Sequence, residues 1–313
     1  MTPALLLSLV LAQSDAPSLH YTAFIEEEAG PRTLESYDFT KWEPAEGKVN
    51  LFVGVDEANL RQTPAADAAV VTTLPLGAAV RVVARGKDRL KVGEYVNHWY
   101  SVEYVDTKGT PDAKDDQTFK GWLFGNTLTP FRFEADFDGD GEKEVATVVM
   151  SNDFKIRVRI MEPKAKPTRR VTSVDVMPAG QSYLNVDGGP VVARLIPAKT
   201  AGVTLLQLDS KPDACSDFKS TYVSYEVPEN KKGVLGKAKN ALDVAGLSDP
   251  PNVSSYEVTF QPGPKELTVV HSRTEEDEAG KVQKSKERQR YGFRDGVYAE
   301  LKAEPPATAE TQP

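Results

Sequence analysis

The chain has 313 residues, 40% apolar or aromatic and 27% charged, a globular composition that excludes a wholly disordered protein. With 46 acidic against 38 basic residues its formal net charge is −8, so no general affinity for nucleic acid or anionic membrane is expected. One cysteine, Cys215, excludes an intrachain disulfide, and the carboxylates of "PDACSDF" would raise its thiol pKa, which argues against a Cys215–His271 nucleophile pair.

The chain opens on "MTPALLLSLVLAQSDAPS", an apolar run over residues 4–12 followed at once by polar sequence. Val10, Leu11 and Ala12 resemble the small-x-small pattern before a signal-peptidase cut, although the usual positive n-region is absent. The run is far shorter than the roughly 20 residues of a spanning helix. It predicts a signal peptide over residues 1–15 and export to the periplasm or beyond; the alternative is a buried N-terminal strand. Residues 16–47, with an acidic "IEEEAGPR" and an aromatic "YDFTKW", read as a lead-in carrying a strand or two.

From residue 48 the character changes. "VNLFVGV", "VVTTLPLG", "AAVRVVARG", "HWYSVEYV" and "KGWLFGNTL" are short β-rich runs punctuated by Gly, Pro and Asp, without a 3.6-residue period. They predict a self-contained all-β unit over 48–130, of about 80 residues, the size of a compact barrel. Such a unit is expected to fold alone. Gly77 suits a tight turn between strands, and Trp99 and Trp122 suit the core or its rim.

The order of features resembles the bacterial SH3-like (SH3b) family. Asn59, Leu60 and Arg61 open the pattern, Gly77 precedes the Val80-x-Val82 strand, Trp99-Tyr100-x-Val102 follows, and Gly121-Trp122 closes it. The departure is a long polar insertion, "EYVDTKGTPDAKDDQTFK", before Gly121. The resemblance implies a barrel that docks a cell-envelope ligand, peptidoglycan or peptide. Tyr95, Trp99, Tyr100, Tyr104, Trp122 and Phe124 are the aromatic candidates, most of them read as packing.

Beyond residue 131 comes "ADFDGDGEKEVATVV". Ca²⁺ takes six to eight oxygens. Alternate positions of a tight loop would point Asp136, Asp138 and Asp140 at one centre, with the Glu142 carbonyl and the Glu144 carboxylate completing the shell. Gly141 allows the sharp turn, and without a cation the three aspartates repel one another. The spacing follows an EF-hand loop as far as its ninth position, but Thr147 stands where the bidentate Glu belongs and a strand follows. The loop therefore resembles the calcium loops of FG-GAP repeats, which implies one structural Ca²⁺. "NVDGGP" and "DSKPD" are at best degenerate copies.

The remainder of 131–300 reads as strands at sandwich or propeller-blade spacing: "KEVATVVM", "KIRVRIM", "VTSVDVM", "PVVARLI", "GVTLLQL", "TYVSYEV", "YEVTF" and "ELTVVHS". "GVLGKAKNALDVAG" is the one candidate helical turn. "SRTEEDEAGKVQKSKERQRYGF" reads as a hairpin with residues 275–278 facing 281–286, a solvated charge ladder rather than a nucleic-acid patch. Residues 301–313 read as a disordered tail.

The expectation is an all-β, exported binding protein, a small SH3-like barrel followed by a β-rich domain with a calcium-type loop. Its partner would be cell-wall glycan or peptide, or an envelope protein. No His cluster with metal-ligand spacing, Ser-His-Asp order or Gly-rich phosphate loop points to catalysis. An envelope hydrolase targeted by the barrel, and a purely structural envelope protein, are the alternatives.

Overall fold

β-Branched and aromatic runs between Gly, Pro and Asp signals become strands nearly throughout the computed structural model. It describes residues 19–25, 33–38, 51–93, 95–107, 116–150, 156–162, 170–176, 188–210, 216–227, 236–277 and 279–301. The signal-peptide segment, residues 108–115 of the insertion, Cys215 and residues 302–313 lie outside these. The class is all-β, as expected.

The lead-in supplies two strands, β1 (Leu19–Ile25) and β2 (Thr33–Asp38), paired as an antiparallel hairpin. The barrel follows: β3 (Leu51–Val53), β4 (Glu57–Arg61), β5 (Val70–Pro75), β6 (Ala79–Val92), β7 (Tyr95–Asp106), β8 (Gln117–Phe124) and β9 (Leu128–Thr129). β6, β7 and β8 form the central antiparallel ladder. β4 joins β5 to β8, and β3 joins β6 to β9. Alternate residues Tyr100 and Val102 point inward with Leu60, Leu74, Val80 and Leu123, all at most 4% exposed.

β10 (Arg132–Ala135), β11 (Glu144–Met150), β12 (Ile156–Glu162) and β13 (Arg170–Val176) make a separate four-stranded antiparallel meander. A longer meander then runs through β14 (Gly188–Ile196), a four-residue helix α1 (Ala198–Ala201), β15 (Leu205–Ser210), β16 (Ser216–Glu226), β17 (Lys237–Asp249), β18 (Asn252–Gln261), β19 (Glu266–Glu276), β20 (Val282–Arg294) and β21 (Val297–Glu300). This sheet curls back on itself. The turn between β20 and β21 meets β16 and β17, where Ser224 Oγ donates to Gly296 O at 2.5 Å and Lys239 Nζ to Asp295 O at 2.6 Å.

Sheet β15–β16 is buried on both faces, which explains the nearly continuous apolar "LLQL". Leu205 and Tyr222 face the inside of the curl with Val244, Leu267, Val269 and Tyr298. Leu206, Leu208, Val223 and Tyr225 face the four-stranded meander, and their cluster continues through Ala146, Val148, Ile156, Val158 and Ile160 into Leu51, Val53 and Leu128 of the barrel. One apolar core therefore runs through both units. The joint is tight: a Cβ on Gly54 would lie 2.2 Å from Val149 Cγ1, and Thr147 Oγ1 donates to Gly54 O at 3.2 Å.

Two expectations are corrected. The helical turn sought in 233–246 is strand from Lys237 onward, residues 233–235 lying outside the described residues: β17 pairs along its length with β16, and this cross-strand pairing overrides the helix-forming Lys and Ala. Gly246 permits the close approach, since a Cβ there would meet Phe218 Cζ at 2.3 Å. The charged hairpin exists, but its turn spans Asp277–Lys281, with Asp277 Oδ1 accepting from the amides of Ala279 and Lys281. That places Glu275 and Glu276 opposite Gln283 and Val282, while Lys284 and Lys286 oppose Thr274 and Ser272. Among the described residues the charge ladder does not form.

Candidate functional site

The aspartate loop connects β10 to β11 and is built by its own side chains. Asp136 accepts from the amides of Gly139 (2.6 Å) and Gly141 (3.0 Å), Asp138 from Asp140 (3.0 Å), and Asp140 from Glu142 (2.7 Å). Gly139 and Gly141 hold φ of 83° and 90°, which other residues rarely adopt. Phe137, 4% exposed, anchors the loop in the core, and Thr204 Oγ1 donates to Asp136 O at 2.8 Å.

One carboxylate oxygen from each of Asp136, Asp138 and Glu144 lies within 4.8 Å of the other two. Glu144 is 0% exposed at the start of β11; its Oε2 accepts from Phe137 N at 2.6 Å, while Oε1 has no hydrogen-bond partner. An ionised carboxylate buried this way is unfavourable unless a cation meets it. Burial pushes Glu144 up to about 8, against the Phe137 amide, with Asp138, Glu162 and Asp136 adding to the rise. Burial likewise raises Asp138, opposed by the Asp140 amide and reinforced by Asp140 and Asp136. Of the five expected ligands the structure gathers three carboxylates. Asp140 spends an oxygen on the Glu142 amide and lies outside the trio, and Glu142 was assigned only through its carbonyl.

The folded chain binds a proton at Glu144 between its ordinary 4.5 and about 8, where the unfolded chain has lost it. In chelator, stability is therefore expected to fall as pH rises across that window, and Glu144→Gln to remove that part of the slope. Urea midpoints at pH 5 and pH 8 measure it; equal slopes in both proteins would refute it.

The barrel's aromatics separate into two groups. Trp99, Tyr100 and Phe124 are 3%, 4% and 7% exposed, with Trp99 against Phe124 at 5.4 Å, so all three pack. Tyr95, Tyr104 and Trp122 are half-buried, and Tyr104 stacks on Phe119 at 6.3 Å. The motif residues have structural reasons. Asn59 Oδ1 accepts from Thr73 Oγ1 at 2.9 Å, and Arg61 Nη1 donates to Ala68 O at 2.6 Å. At Gly121 a Cβ would lie 2.6 Å from Arg61 O, so β8 closes on β4 only with glycine there. The family model described as a bacterial SH3 domain matches residues 56–129. These residues are a bacterial SH3 domain. No curated protein and no solved structure matches the chain.

Strand β3 of the SH3 domain precedes the matched segment yet completes it through β6 and β9. Against the other side of the SH3 domain, next to the β3–β4 turn, lies a groove shared with the four-stranded meander. Asp56 and Glu57 form its rim, Leu76, Met161 and Val171 its floor, and Arg159 its wall. Arg159 Nε donates to Asp56 Oδ1 at 2.9 Å; burial lowers the guanidinium pKa and Asp56 opposes that. Three of its eight lining residues, Arg159, Met161 and Val171, lie about a hundred positions further along the chain, so no local pattern announced it. Thr204, Glu162 and Tyr225 around the aspartate loop were missed for the same reason.

Proposed function

We propose that the chain is an exported, non-enzymatic binding protein whose SH3 domain docks a peptide of the bacterial cell wall, with a Ca²⁺-clamped β domain behind it. The SH3 match at residues 56–129 carries this reading, since bacterial SH3 domains are typical of cell-envelope proteins and commonly bind cell-wall glycan or peptide. Among the described residues no helix is long and apolar enough to cross a membrane. The groove supports the peptide over the glycan. Its floor is apolar and its rim carries Glu57 beside the Arg159–Asp56 pair, a setting for an amine-bearing peptide rather than for neutral sugar rings.

The loop donors fit a hard cation: all are carboxylates, and the fully buried Glu144 Oε1, which has no hydrogen-bond partner, is open to a cation that would take the place of the proton Glu144 otherwise holds. Asp136, Asp138 and Glu144 would hold it. The ion contributes charge neutralisation there and no chemistry.

Purified sacculi should co-sediment with the full chain, and Glu57→Lys, an exposed substitution, should weaken that binding. Wild-type protein left in the supernatant would defeat the reading. Undiminished binding of the variant would take the ligand away from this groove.

A further inference from the structure

Strand β20 reads as mixed charge, "VQKSKERQR", but its pleat sorts the signs. The register to β19 is unbroken from Glu276↔Val282 to Glu266↔Gly292. Even positions therefore share one face: Lys284, Lys286, Arg288, Arg290 and, beyond Gly292, Arg294. Odd positions share the other, where Tyr291 and Phe293 pack inside the curl and Glu287 follows them. All five cations are exposed on the convex side of the sheet. Arg290 pairs with Glu266 at 2.7 Å, while Lys284, Lys286 and Arg288 form no salt bridge to a described residue.

Side chains at alternate strand positions stand about 6.8 Å apart, so Lys284 to Arg290 is a straight row of roughly 20 Å, one residue wide. Hydroxyls flank it: Thr274 and Ser272 on β19 lie opposite Lys284 and Lys286, and Ser255 on β18 lies beside Ser272. The acids on this face are Glu257, Glu266 and Glu276.

We propose that this convex face binds a linear acidic polysaccharide, a chain of sugars bearing carboxylate or phosphate groups. A single file of cations matches a single-file polyanion, and the neighbouring hydroxyls suit sugar hydroxyls. Single-stranded nucleic acid fits less well, because no described residue on this face is aromatic and bases have nothing to stack on. A lipid surface also fits less well, since Glu257 and Glu276 beside the row would meet the same anionic plane. The site is separate from the SH3 groove and does not depend on that reading.

The test is titration of the full chain with polygalacturonate at low ionic strength, beside neutral dextran, a single-stranded oligonucleotide and anionic phospholipid vesicles. Polygalacturonate should bind and dextran should not, and salt should weaken the complex. K284E/K286E/R288E should weaken it about tenfold or more with an unchanged melting temperature, and K284R/K286R should retain it. Should the triple variant fail to fold, K284Q/K286Q reads the same contacts with a smaller loss. Absent polygalacturonate binding, binding indifferent to these substitutions, or tighter binding of the oligonucleotide or vesicles would each overturn the proposal.

Discussion

Chelation should lower the melting temperature of this protein, excess Ca²⁺ should restore it better than Mg²⁺ does, and Asp138→Ala should remove the response. The ion would bind the folded loop and not the unfolded chain, so stability must rise with its free concentration. A millimolar site yields about 1–3 kcal/mol only at calcium well above its dissociation constant. Asp138 is the informative position: it belongs to the carboxylate trio and its side chain accepts from the Asp140 amide, so its removal spares the Phe137–Glu144 bond that seats the loop. Mg²⁺ demands a stricter octahedral shell and keeps its water, hence the smaller effect expected from it. Identical melting in chelator and in calcium would leave the aspartates as a self-bonded turn.

Leu206→Ala should destabilise the chain by about 2–5 kcal/mol, the range for emptying a buried leucine site. Leu206 is 0% exposed and sits where the curled sheet, the four-stranded meander and the barrel contribute to one cluster. If that continuity couples the units, calorimetry will show a single transition moving down as a whole. A barrel transition left in place while a second one falls would mean that residues 48–130 stand alone, as their strand set suggests. The Gly54 contact with Val149 argues for coupling, because neither partner can withdraw without opening a gap at the joint.

What the sequence disclosed was local. Asn59-Leu60-Arg61 and Gly121-Trp122 announced the SH3 domain because each residue answers a short-range demand, such as the 2.6 Å approach of β8 to Arg61 O that only glycine tolerates. The strands of the second unit were visible as β-branched runs, and the loop as alternate aspartates. Where pairing decides, the sequence was mute. "KAKNALDV" has helix-forming composition and becomes strand only because β16 lies beside it. The charged hairpin was visible, but its register depends on where Asp277 folds its turn, and a register decides which charges meet. Glu144 was assigned as a ligand, yet its complete burial and orphaned oxygen follow from the core around it.

The lead-in hairpin has a consequence for the order of events. β1 pairs with β14 through Leu19↔Val191, strands about 170 residues apart in the chain, while β2 touches β7 through Glu35↔Tyr95. Closing so long a loop is slow, and the contact cannot form before β14 exists. Strand β1 thus finds one of its two sheet partners late. In a chain made from its amino end, that edge of β1 stays open until β14 has been made, after every strand of the barrel and of the four-stranded meander.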